Sequence, residues 1–171
     1  MTDRLVNLLQ QLDIIYLYPV QLKNAGSSNF YVDVKKAFGE PDILNIIADE
    51  MHARFKPDVT CIAASGFGGV PLAAAISSRY GLHLIQIRDE PKKYGKMGLI
   101  EGYVPIASDK IAIIDDVFST GGSIRQIIDA LSPTGAQIVG AYVVAKRGEG
   151  ALPVPLTYLV TAEQLIAGRL H

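Results

Sequence analysis

The sequence predicts an α/β fold. It reads as one domain over 1–171, a central, mostly parallel sheet flanked by helices, with residues 1–40 as a small hood over the sheet edge. Two observations carry this expectation. From Val59 onward, short apolar runs alternate with segments whose apolar residues recur at helical spacing, the order that builds parallel sheets through right-handed crossovers. The apolar runs are also nearly continuous, as in strands buried on both faces. The first 40 residues do not follow this alternation, and no repeat, low-complexity tract or linker marks a second domain.

Each element has its own warrant. Leu5, Leu8, Leu9 and Leu12 lie on one face of a first helix. Residues 14–34 mix apolar and aromatic side chains, with a polar turn expected at 24–29 and a short strand at 30–34. Pro41 opens a second helix, with Ile43, Ile47, Met51 and Phe55 along one side. Strands are expected at 59–64, 82–87, 111–114, 137–145 and 155–160, and helices at 69–79 and up to Leu131. Thr161 and Gln164 have the spacing of a capping box for a short terminal helix.

Composition narrows the class. A chain of 171 residues with 49% hydrophobic content can bury a sizeable core. A net charge near −1 gives no electrostatic reason to expect nucleic acid. The lone Cys61 sits in an apolar strand pattern, permits no internal disulfide and suits a reducing compartment. No apolar stretch approaches membrane-spanning length and no signal-like run opens the chain, so a soluble cytoplasmic protein with no membrane partner is expected. His52, His83 and His171 belong to no constellation and read as packing or surface residues.

The run at 111–123, IAIIDDVFSTGGS, is the most informative. A buried strand ends in Asp115 and Asp116, a short polar loop follows, and Ile124, Ile127, Ile128 and Leu131 begin a helical pattern. Open α/β sheets bind ligands at the carboxyl ends of their strands. Glycines let backbone N–H groups approach an anion, and a helix N-terminus attracts one. Two carboxylates beside a phosphate cradle match a ribose 5-phosphate. Ordinary acidic N-capping is the plain alternative, but adjacent acids repel each other and need a reason to be there.

Three further segments gain meaning beside it. Ser65-Gly66-Phe67-Gly68-Gly69 places three glycines in four positions at another strand-to-helix junction, either a tight turn or a second anion loop. Residues 88–102 carry Arg88, Lys92, Lys93 and Lys96 among Pro91, Gly95 and Gly98, so they form either a solvated charged loop or a cationic lid. The segment 21–33 taken alone is a polar turn before a strand.

The run at 111–123 resembles the ribose-phosphate motif of the type I phosphoribosyltransferases, which implies that fold. The other segments resemble one branch of the family, orotate phosphoribosyltransferase. Leu22-Lys23-Asn24 to Phe30-Tyr31 is similar to its Leu-Lys-Ser-Gly segment and aromatic strand. Arg88, Glu90, Lys92, Tyr94, Gly95 and Ile100-Glu101-Gly102 match its lid. Arg147 falls where the family holds orotate. The resemblance spans roughly residues 20–150. Asp89 departs from it, standing where a lysine is usual, as does Gly68, where many members have lysine and others glycine. Asn24-Ala25-Gly26 is a loose form of its segment.

The resemblance implies conversion of orotate and phosphoribosyl pyrophosphate to orotidine 5-monophosphate and pyrophosphate, in pyrimidine biosynthesis, by a homodimer using Mg2+. It implies that Asp115 and Asp116 hold the ribose hydroxyls and that Val117, Phe118, Ser119, Thr120, Gly121, Gly122 and Ser123 surround the 5-phosphate. Gly66, Phe67, Gly68 and Gly69 would bind pyrophosphate together with Arg88, Lys92, Lys93 and Tyr94, with Arg88, Lys92, Asp115 and Asp116 as the catalytic set. Lys23, Phe30, Ser119 and Arg147 would bind orotate. No direct protein ligand is expected for magnesium, held mainly by substrate and water, with Asp115 and Asp116 near it. Two rival readings stay open: transfer to another base, and a non-catalytic sensor of phosphoribosyl pyrophosphate.

Overall fold

Leucine periodicity gives α1 (Thr2–Gln11) its reason to form: Leu5 and Leu9 are buried in the core. The computed structural model describes residues 2–18, 20–22, 26–28, 30–91 and 98–167. After α1 come two small antiparallel pairs, β1 (Ile15–Tyr16) with β4 (Tyr31–Val32), and β2 (Val20–Leu22) with β3 (Gly26–Ser28). The polar turn expected at 24–29 lies partly outside the described residues, and its 26–28 part is strand β3. The strand expected at 30–34 is shorter, because Val34 already has helical angles and starts α2 (Lys35–Phe38). The hood thus comprises α1, the two strand pairs and α2. Pro41 opens α3 (Pro41–His52), which buries Ile47, Ala48 and Met51.

The alternation then proceeds as expected, with shifted boundaries. The elements are β5 (Cys61–Ser65), α4 (Gly66–Tyr80), β6 (His83–Ile87), β7 (Ile100–Gly102), β8 (Lys110–Phe118), α5 (Gly122–Leu131), β9 (Gln137–Lys146), β10 (Leu156–Thr161) and α6 (Ala162–Ala167). The main sheet runs β10-β9-β8-β5-β6-β7, parallel throughout except for the antiparallel β6–β7 pair. The capping box forms: Thr161 N–H donates to Gln164 Oε1 at 2.8 Å, and Gln164 N–H to Thr161 Oγ1 at 3.3 Å.

Two layers of core cover the sheet. Ile62, Ala64, Ala112 and Ile114 face α1, α3 and α4, while Cys61, Ala63, Ile111 and Ile113 face α5. Burial pushes the Cys61 thiol up to about 11, consistent with a purely structural cysteine. His52 stacks on Tyr80 and His83 on Tyr103, both packing roles, and His171 lies outside the described residues.

Topology fixes where a ligand belongs. The crossover from β5 through α4 leads to β6 on one side, and that from β8 through α5 leads to β9 on the other. The crevice beyond the carboxyl ends of β5 and β8 is therefore the switch point of the sheet. At the opposite end, buried Asp109 accepts hydrogen bonds from Thr60 Oγ1, Tyr103 OH and Ile106 N–H at 2.8–2.9 Å, which anchors the start of β8.

Candidate functional site

Strand β8 runs four residues past its expected end, because β9 keeps pairing with it through Phe118↔Lys146. Asp115 and Asp116 are therefore strand residues, and successive strand side chains point to opposite faces. Asp115 turns to the α5 side, where Ser123 Oγ donates to its Oδ2 at 2.6 Å and Asp116 N–H to its Oδ1 at 2.9 Å. Burial and the neighbouring Asp116 carboxylate push Asp115 up to about 7, against the downward pull of Ser123. Asp116 turns to the α4 and hood side, where Val117 N–H donates to Oδ1 at 2.7 Å and Lys35 Nζ lies 3.3 Å from Oδ2.

A cavity of about 270 Å³ opens beside Asp116. The run 116–124 forms one wall, and Tyr31, Val32, Lys35 and Arg147 form the other. Phe118 also packs its side chain into the core. Ser119 and Thr120 form the turn, and Gly121, with φ +80°, adopts the left-handed conformation that a side chain would resist. Arg125 secures this turn by donating to Thr120 O at 2.8 Å and Ala151 O. Behind it lie Gly148 and Gly150, where an added Cβ would collide with the carbonyls of Ser119 and Thr120. The loop and the first turn of α5 carry backbone N–H groups of the kind that attract an anion.

The glycine loop at 66–69 is the first turn of α4, which begins three residues before its expected start. It adjoins the second acid: a Cβ on Gly68 would lie 2.5 Å from Asp116 Oδ1, and one on Gly69 2.5 Å from Ile114 O. Phe67 projects into solvent with 89% exposure. Arg147 caps the far wall, its guanidinium 5.7 Å from the Phe30 ring centre and its N–H bonded to Phe118 O at 2.8 Å. Burial lowers the Arg147 pKa from its ordinary value.

The remaining expected residues fall elsewhere. Arg88 follows the carboxyl end of β6 and is not on this cavity, bonded through its N–H to Leu99 O and 3.7 Å from Glu101. Asp89 accepts from Ser65 Oγ at 3.1 Å and, through its carbonyl, from Gln126 Nε2 at 3.2 Å, so it ties the segment after β6 to the end of β5 and to α5. Lys23, Lys92, Lys93 and Tyr94 lie outside the described residues. Sequence reasoning missed Lys35, Arg125, Gly148 and Gly150. The Val34-Lys35 pair beside a strand and the Gly-x-Gly after Arg147 were the available signals.

Residues 43–164 match the model of the phosphoribosyl transferase domain. The chain is 36% identical over 148 residues to the orotate phosphoribosyltransferase of Methanothermobacter thermautotrophicus, covering 86% of this chain and 81% of that one. The chain belongs to the orotate phosphoribosyltransferases. A second relative of that name, from Methanocaldococcus jannaschii, is 33% identical over 95% of this chain and 96% of its own. The crystal structure of orotate phosphoribosyltransferase from Aeropyrum pernix superposes with a TM-score of 0.82 at 25% identity, covering 96% of this chain and 97% of that one. The type I phosphoribosyltransferase fold is thus shared along almost the whole chain.

Proposed function

We propose that this chain transfers the phosphoribosyl group of phosphoribosyl pyrophosphate to orotate, giving orotidine 5-monophosphate and pyrophosphate. One observation carries the reading. A single cavity joins the phosphate cradle and Asp116 to a wall holding Arg147. The relatives' names agree with it.

In this reading the 5-phosphate sits on the N–H groups of 119–123, and Asp115 and Asp116 accept hydrogen bonds from the ribose hydroxyls. The bond from the anomeric carbon to pyrophosphate breaks, and a bond from that carbon to the orotate nitrogen forms. Positive charge grows on the ring between these events, and a carboxylate nearby favours it. Arg147 meets the anionic orotate with a planar fork of donors, and Phe30 backs its guanidinium. The first turn of α4 and the lid residues Arg88, Lys92, Lys93 and Tyr94 receive pyrophosphate, and Lys23 assists at orotate.

Asp115 and Asp116, each already engaged by a donor, suit a magnesium ion held mainly by pyrophosphate and water. Such an ion, bound there, would neutralise charge on the leaving group. The chain acts as a homodimer in the cytoplasm. No helix among the described residues is long and apolar enough to cross a membrane.

The test follows orotate by its ultraviolet absorbance with phosphoribosyl pyrophosphate and magnesium. Magnesium-dependent loss of orotate is expected. Binding of phosphoribosyl pyrophosphate without any loss of orotate would overturn the reading in favour of another base or a sensor.

A further inference from the structure

Lys35 belongs to the hood, yet its ammonium lies in the cavity. Its neighbours Val34 and Ala37 are fully buried, which fixes the backbone of α2 and sends Lys35 the other way. Nζ sits 3.2 Å from Tyr31 OH, 3.1 Å from Asp33 Oδ1 and 3.3 Å from Asp116 Oδ2. The ammonium donates to Tyr31 OH and to Asp116 Oδ2, and Asp33 adds an ion pair, so the side chain is held on three sides.

Asp116 is correspondingly confined. Val117 N–H holds one oxygen and Lys35 the other, and the carboxylate lies against the bare α-carbon of Gly68. A methyl group there would meet Oδ1 at 2.5 Å and Cγ at 2.6 Å, and what gives way is the carboxylate, the mobile end of a side chain. Asp115 draws its support from a different source, Ser123 on α5. The two acids are held by separate parts of the molecule, one by the phosphate cradle and one by the hood.

We propose that Lys35 is a positioning residue, through which the hood orients the Asp116 carboxylate toward the ribose hydroxyls, with Gly68 as the matching space on the other side. This rests on the reading of Asp116 as the acceptor of a ribose hydroxyl. Lys35 touches no reacting atom. It offsets one of two adjacent negative charges and fixes the direction in which that charge is presented.

Calorimetry with ribose 5-phosphate and with inorganic phosphate separates this role from a structural one. Both ligands use the phosphate cradle, and ribose 5-phosphate alone presents hydroxyls. Lys35→Met should weaken ribose 5-phosphate about tenfold, as losing a charged hydrogen bond does, and leave inorganic phosphate unchanged. Lys35→Arg should restore most of the loss. In turnover, the KM for phosphoribosyl pyrophosphate should rise about tenfold in Lys35→Met, and that for orotate should stay within about twofold. Equal weakening of both calorimetric ligands, or an unchanged preference for ribose 5-phosphate, would overturn the assignment. Where Lys35→Met fails to fold, Lys35→Gln carries the same test, since it too removes the charge that holds the carboxylate. The same split is expected there, and its absence overturns the proposal. A wild-type protein that binds ribose 5-phosphate no better than phosphate overturns instead the ribose reading on which the proposal stands.

Discussion

Replacing Gly148 with alanine should damage the phosphate cradle without touching a ligand. The added Cβ would lie 2.9 Å from the carbonyl carbon of Ser119 and 3.2 Å from its Cα, with the carbonyl oxygen closer still. Ordinary contact begins near 3.4 Å, so the Ser119 backbone must retreat by at least about 0.5 Å. The retreat meets resistance, because Arg147 N–H holds Phe118 O at 2.8 Å and Arg125 holds Thr120 O at 2.8 Å. Overpacking of this kind costs about 1–3 kcal/mol, and a misplacement near 1 Å at a binding site costs about a hundredfold in rate. The KM for phosphoribosyl pyrophosphate should rise by about ten- to a hundredfold, and inorganic phosphate should weaken in parallel. Gly39→Ala is the control, since its Cβ would meet only Lys36 O at 3.3 Å at a φ of −74°. Steady-state kinetics, phosphate calorimetry and melting temperature decide the matter. A Gly148→Ala protein with wild-type phosphate affinity and wild-type KM would refute the idea that this glycine shapes the cradle.

Arg147→Ala should raise the KM for orotate far more than that for phosphoribosyl pyrophosphate, and equal losses would argue against its role at the base. The double variant Asp115→Asn, Asp116→Asn should lose nearly all turnover in the orotate absorbance assay while keeping its fold by circular dichroism. In the ligand-free protein, stability should fall as the pH rises from about 4, the ordinary carboxylate value, to about 7, because folded Asp115 retains its proton over that window and the unfolded chain does not. Asp115→Asn should flatten that limb, as read from melting temperature against pH.

The parts of the fold with a clear period were legible in the sequence. Leu5 and Leu9, Ile47 and Met51, and Ile124, Ile127 and Leu131 all lie buried on the faces their spacing assigns. Short elements were not legible: α2 spans four residues and β7 three, too few for a period to register. The expected strand ran to Ile114 with Asp115 and Asp116 at its carboxyl end, and pairing with β9 carries it on through Phe118. The run 66–69 looks like a loop, although its glycines enter α4 directly. Within the site, motif residues were visible and their supports were not. Lys35 lies 81 positions from Asp116 in sequence, and no local pattern links them. Gly148 and Gly150 act through the missing bulk of their side chains, which only the facing carbonyls of Ser119 and Thr120 make meaningful.

The opposed facing of the two acids also limits how this chain can vary in length. Inserting or deleting a single residue in β8 before Asp115 would rotate both carboxylates to the wrong sides, Asp115 toward Lys35 and Asp116 toward Ser123. A single-residue length change there keeps the acids in place only if a bulge absorbs it, as the register shift of β9 opposite Ile111 and Ala112 does. The connection between β7 and β8, at the other end of the sheet, is tied instead through Tyr103 and Ile106 to Asp109 and sets the start of the strand, not the facing of the two acids. The spacing from Ile111 to Ser123 thus sets three things at once: the depth of the strand, the side on which each acid stands and the reach of Ser123 to Asp115.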